Sequence, residues 1–152
     1  MILGGILMDK IAYFRLQAKN LMRDFRTQTL DEEGLTQYSP KFFNDIDDIL
    51  LSYNVDEENF TLMEAQHLIA NLAGFDKWAE LLRASDDALE LGKLLLDKRG
   101  EILLASFTSS LVDDWKMYLQ INHFNNESDE FKLQVFKAVF LGEYSCREEK
   151  TR

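Results

Sequence analysis

At 152 residues, 46% of them apolar and 12% aromatic, with a single proline, the chain can bury a core and is too short for two full-sized domains. Its composition excludes disorder and collagen-like structure. A formal charge of −10, from 17 basic and 27 acidic residues, speaks against a general nucleic-acid binder, which needs a cationic surface to neutralise phosphates.

Cys146 is the only cysteine, so neither an intramolecular disulfide nor a cluster of thiolates for structural zinc can form, in keeping with a reducing cytoplasm. No apolar run reaches the roughly 18 residues of a membrane-spanning helix. Residues 1–8 (Met-Ile-Leu-Gly-Gly-Ile-Leu-Met) lack the basic start of a signal peptide and read as an extension, with the fold beginning near Met8. A soluble cytoplasmic protein is expected.

From Asp9 to about Thr27, Ile11, Phe14, Ala18, Leu21, Met22 and Phe25 recur at helical spacing, giving an amphipathic first helix. Thr29–Ser39 has Gly34 and carboxylates without periodicity and reads as a loop. Ser39 and Pro40 suit the start of a second helix, which Phe42, Phe43, Ile46, Ile49, Leu50 and Tyr53 would carry to about Tyr53. Thr61-Leu-Met-Glu64 has the form of a capping box for a third helix ending at Gly74. Asp76 would cap a short fourth helix through Trp78, Leu81 and Leu82, and Ser85-Asp86-Asp87 would open a fifth that closes at Gly100. Ile102-Leu103-Leu104-Ala105 is ambiguous, and a helical turn is favoured over a short strand. Ser109 or Ser110 would cap the sixth helix; Asn122–Asn126 is a loop; Ser128 would open the seventh, which Gly142 ends. The expectation is one all-α domain over residues 9–142, a multi-helix bundle of about seven helices without significant sheet, followed by a charged, fraying tail over 143–152.

Charge is unevenly spread. Between Asp31 and Glu64 stand ten carboxylates (Asp31, Glu32, Glu33, Asp45, Asp47, Asp48, Asp56, Glu57, Glu58, Glu64) against one base, Lys41. The first helix instead carries Arg15, Lys19, Arg23 and Arg26 on one flank, a basic stripe that is either a solvated face, a partner of the acidic second helix, or a binding face for an acidic partner or a nucleic-acid backbone. Gln66, Ala70 and Gly74 have the spacing of the first half of a helix-turn-helix. The comparison then breaks, because Glu80 stands where the recognition helix needs an apolar residue to dock.

Two carboxylate pairs, Asp45 with Asp48 and Asp87 with Glu90, sit three apart on helices, an arrangement that can hold Mg²⁺ for diphosphate chemistry. Asp86 and Asp87 also stand where a helix N-terminus favours acids. Glu64 and His67 form one Glu-x-x-His, and His123, with Gln120 before it, supplies no second half-site for a di-iron bundle. Cys146 has no evident base partner, and neither a phosphate-binding glycine loop nor a nucleophile elbow occurs.

The stretch Thr61–Ala70 followed by Gly74-Phe75-Asp76-Lys77-Trp78-Ala79-Glu80-Leu81 resembles a helix–Gly-Phe-x-x-Trp-x-x-Leu element of small bacterial helical proteins, a family with no known activity. With Tyr13–Asn20 and Ala84–Leu91 the resemblance covers residues 10–98. It implies packing, with the glycine ending one helix while Phe75 and Trp78 wedge the next against it.

The favoured reading is a non-enzymatic cytoplasmic bacterial protein that works through a protein partner or self-association, of antitoxin, immunity or other regulatory kind. It needs no cofactor and no metal, and involves neither membrane nor nucleic acid. The alternative is a Mg²⁺-dependent nucleotide or diphosphate hydrolase using Asp45, Asp48, Asp87 and Glu90.

Overall fold

The structure, a computed structural model, describes residues 9–143. Seven α-helices and one two-stranded antiparallel ribbon make up the regular structure of these residues, which is the all-α architecture expected from the periodicity. No helix among them is long and apolar enough to cross a membrane. The expectations for residues 1–8, for Cys146 and for the tail beyond Glu143 fall outside the described residues. The chain divides into two compact units, with the boundary between Asn71 and Leu72.

In the first unit, α1 (Lys10–Phe25) starts where the side chain of Asp9 accepts the Ala12 N–H at 2.7 Å. It buries Phe14, Ala18, Leu21, Met22 and Phe25 on the face that periodicity assigns to them. Ile46, Ile49 and Leu50 of α2 (Ile46–Ser52) and Ala65, Leu68 and Ile69 of α3 (Leu62–Leu72) complete the apolar interior. Burial of each larger side chain contributes about 1.5–3 kcal/mol. The capping box forms: the Thr61 N–H donates to Glu64 Oε1 at 3.0 Å and the Glu64 N–H to Thr61 Oγ1 at 3.3 Å.

Two expectations in this unit need correction. Thr29–Ser39 is not merely a loop, because β1 (Thr29–Leu30) pairs with β2 (Thr36–Gln37) in antiparallel register, Thr29 opposite Gln37 and Leu30 opposite Thr36. The ribbon depends on one side chain: Asp31 Oδ1 accepts the N–H groups of Glu33 and Leu35 at 2.9 and 2.8 Å, and Gly34 supplies the positive φ of 82° that closes the turn. Two-residue strands fall below what alternation can register.

The second helix begins at Ile46, not at Pro40. The reason lies in α1, where the buried carboxylate of Asp24 accepts the N–H groups of Lys41, Phe42 and Phe43 at 2.9, 2.8 and 2.6 Å. Three amides drawn to one carboxylate form a turn around it, so the chain can enter a helix only after Phe43 has been buried.

The second unit holds α4 (Trp78–Leu82), α5 (Asp86–Asp97), α6 (Leu111–Ile121) and α7 (Asp129–Val139). Ser85, Ser110 and Ser128 cap the last three, each hydroxyl accepting the N–H three residues on. The capping position of α4 is Lys77, one residue after the expected Asp76, and the Asp76 carboxylate lies 3.5 Å from the Lys116 ammonium. Trp115 centres the core, edge-on to Phe136 and Phe140 at 5.3 and 5.6 Å between ring centroids, with Leu91, Leu95, Leu111 and Leu133 around it. α5 packs against α7, with the Glu90–Lys137 ion pair at 2.9 Å and a Ser85–Asp129 hydrogen bond at 2.7 Å.

Gly74 ends α3 with a φ of 93°, the left-handed turn anticipated for it. Phe75 lies against Gly92 of α5, where a Cβ would meet the ring at 3.0 Å, while Trp78 stays partly exposed. Ile102–Ala105 is neither helix nor strand. Its one hydrogen-bonded turn runs from the Ser106 N–H to the Leu103 carbonyl at 3.1 Å.

Candidate functional site

The carboxylates anticipated from sequence as a metal site fall in both units. Asp45 and Asp48 belong to the first unit, Asp87 and Glu90 to the second, and Glu90 is engaged by Lys137. Among the described residues no group of three or more His, Cys, Asp and Glu side chains is placed to hold a metal ion. Glu64 is committed to its capping box, and His67 and His123 are exposed, His123 in a left-handed turn at φ 61°. α4, five residues long, is too short to serve as a recognition helix.

The second unit contains an open cleft of about 470 Å³ floored by Phe75, Leu91, Leu95, Trp115 and Leu119. Charged groups at its rim are engaged with protein neighbours: Lys116 with Asp76, Asp129 with Ser85, and Lys132 with the Asn125 carbonyl at 2.8 Å. In the first unit a smaller hollow of about 250 Å³ is bordered by Tyr38 and Glu57. The Tyr38 hydroxyl donates to Glu57 and accepts from Gln28 Nε2 at 2.8 Å. Partial burial, followed by the bond to Glu57, pushes the phenol above its ordinary range. A phenol held protonated in this way fixes the ribbon to the turn after α2 and is no base.

What distinguishes the surface is the connection between α5 and α6. Ile102, Leu104 and Phe107 are 93, 73 and 68% exposed, whereas Leu103 and Ala105 pack on the core around Trp115. The backbone beneath them is pinned. The Leu103 N–H donates to Ser106 Oγ at 2.9 Å, the Leu104 N–H to the Phe140 carbonyl at 3.2 Å, and the Phe107 N–H to Asp114 Oδ2 at 3.0 Å. Asp114, buried in α6, also takes the Thr108 N–H and, at 2.8 Å, the Thr108 hydroxyl. Leu104 rests against Gly142, where a Cβ would stand 2.9 Å from its Cδ1.

Water gains nothing from three large apolar side chains within six residues, and a loop with four of its six amides bonded within the protein loses little entropy when it docks. Sequence reasoning stopped at these residues without reading a site. The usable signal was the outward alternation of Ile102 and Leu104 ahead of a Thr108–Ser110–Asp114 cluster able to hold the loop from behind.

Arg15, Lys19 and Arg23 on α1 and Arg26 at its C-cap lie where the helical wheel puts them, all exposed. None is joined to a carboxylate by an ion pair among the described residues, so the acidic α2 is not their partner. The Arg23 guanidinium stands 5.8 Å, and the Lys41 ammonium 5.5 Å, from the centre of the exposed Phe42 ring. No family model, no curated protein and no solved structure matches the chain.

Proposed function

We propose that this is a non-enzymatic cytoplasmic bacterial protein that acts by binding another protein, in the manner of an antitoxin, an immunity protein or a comparable regulator, and that loop 102–107 is its principal contact. The observation that carries this reading is the pairing of a backbone held from within by Asp114, Ser106 and Phe140 with the outward display of Ile102, Leu104 and Phe107. Such a loop offers apolar anchors of the kind that dominate protein interfaces. The net charge of −10 adds steering toward a basic partner.

The test is affinity capture from source cells with the natural protein and with Ile102→Ser/Leu104→Ser/Phe107→Ser, whose thermal melting should match the parent because the replaced side chains are exposed. A stoichiometric partner retained by the natural chain and lost by the variant is expected. Equal capture by both, or none by either, would count against the reading. A melting temperature that rises with Mg²⁺ or Mn²⁺ and a nucleoside triphosphate would instead support the hydrolase based on Asp45, Asp48, Asp87 and Glu90.

A further inference from the structure

We infer that the outer face of α1 docks an acidic, amphipathic helical segment of a protein partner. At 100° and 1.5 Å per residue, Arg15, Lys19, Arg23 and Arg26 fall within an arc of about 80° and span about 16 Å. Ala12 is the other residue of α1 on that arc and Leu16 lies about 20° beyond its Arg23 edge, and neither is acidic. The chain carries ten more acidic than basic residues, yet these four cations are exposed and unpaired among the described residues. Lys41 extends the cationic face through its contact with Phe42, and exposed Phe42 and Leu16 put apolar surface along the edge where Arg23 stands.

The length of the face selects the occupant. A lone phosphate reaches one or two of the cations, whereas steps of about 6, 6 and 4.5 Å along α1 match carboxylates one turn apart on a second helix. A nucleic acid fits less well, because a phosphate backbone makes no use of Leu16 and Phe42. An acidic helix with leucines beside its glutamates uses both the charge and the apolar edge. This site involves none of the residues of loop 102–107, so substitution in one leaves the other intact and the two readings fail separately.

The probe is a fluorescein-labelled helical peptide of glutamates at i, i+4 with adjacent leucines, compared with its lysine counterpart and with a single-stranded oligonucleotide of equal charge. Anisotropy is measured on the full chain. The acidic peptide should bind, weaken as salt rises, and lose about tenfold in affinity to Arg15→Gln/Lys19→Gln/Arg23→Gln, the product of three exposed pairs of about twofold each. Arg15→Lys/Arg23→Lys should stay within a few-fold of the parent.

Equal binding of the lysine peptide, tighter binding of the oligonucleotide, or no effect of the glutamine variant would overturn the inference. Should the glutamine variant fail to fold, carbodiimide coupling of the peptide to the natural chain decides. Adducts at Lys19 and Lys41 support the site, and adducts confined to other lysines refute it.

Discussion

Asp24 and Asp114, each 1% exposed, do the same work in their separate units. A carboxylate reaching from a helix gathers the amides of a preceding or following segment and dictates where the next regular element can begin. Charge-assisted bonds of this kind contribute about 1.5–3 kcal/mol each, and stripping the acceptor from a buried amide adds a desolvation penalty. Asp24→Ala should therefore cost about 3 kcal/mol or more. In urea titrations it should lower the midpoint without changing the slope, and the amides of Lys41, Phe42 and Phe43 should exchange faster. A loss below about 1 kcal/mol would show that these bonds form equally well to water.

Tyr38 makes a second prediction at the same scale. Its folded pKa is raised above the ordinary 10.0, so the native state holds the phenol proton more tightly than the unfolded chain does. The associated stability is complete below pH 10 and is lost as pH rises beyond it through the folded value. Spectrophotometric titration should show a late phase that Tyr38→Phe lacks. Titration curves of the two proteins that coincide at high pH would contradict this.

At the scale of elements, what could be read from the chain depended on whether the cause was local. α1, α3, α5, α6 and α7 each announce themselves through apolar spacing and a cap within four residues: Thr61, Ser85 and Ser128 cap as read, Ser110 rather than Ser109 caps α6, and Asp9 caps α1. The start of α2 was misread because its determinant, Asp24, lies seventeen residues before Lys41. The ribbon was missed because Asp31 closes it with hydrogen bonds that leave no periodic trace. Loop 102–107 stayed ambiguous because an apolar run looks the same whether its side chains enter a core or leave it, and only Asp114 and Phe140 decide which do. The shared flank of the basic stripe was legible from spacing alone, whereas its lack of ion pairs with α2 required the tertiary structure.

Two glycines of the second unit test its packing. Gly92 has the Ala73 carbonyl oxygen 3.1 Å and the Phe75 ring 3.0 Å from where a Cβ would stand, and a backbone carbonyl cannot give way. Gly92→Ala should destabilise by about 1–3 kcal/mol despite its better helix propensity. Gly100, with nothing within 4 Å, should accept alanine at no cost or with a gain of up to about 1 kcal/mol. Thermal melting of both variants distinguishes this account from one in which glycine serves flexibility alone.

Over the molecule as a whole, two surfaces stand out among the described residues. An apolar loop stands in the second unit and an unpaired cationic face in the first, while the carboxylates are spread or engaged in caps, turns and ion pairs. The central claim is that loop 102–107 touches a protein partner. Its most direct test is photo-crosslinking in source cells, with benzoylphenylalanine at position 107 and, as a control, at the exposed Gln134 on α7. The account predicts one discrete crosslinked species from position 107 that position 134 does not give. No adduct from 107, or the same set of adducts from both positions, would contradict it.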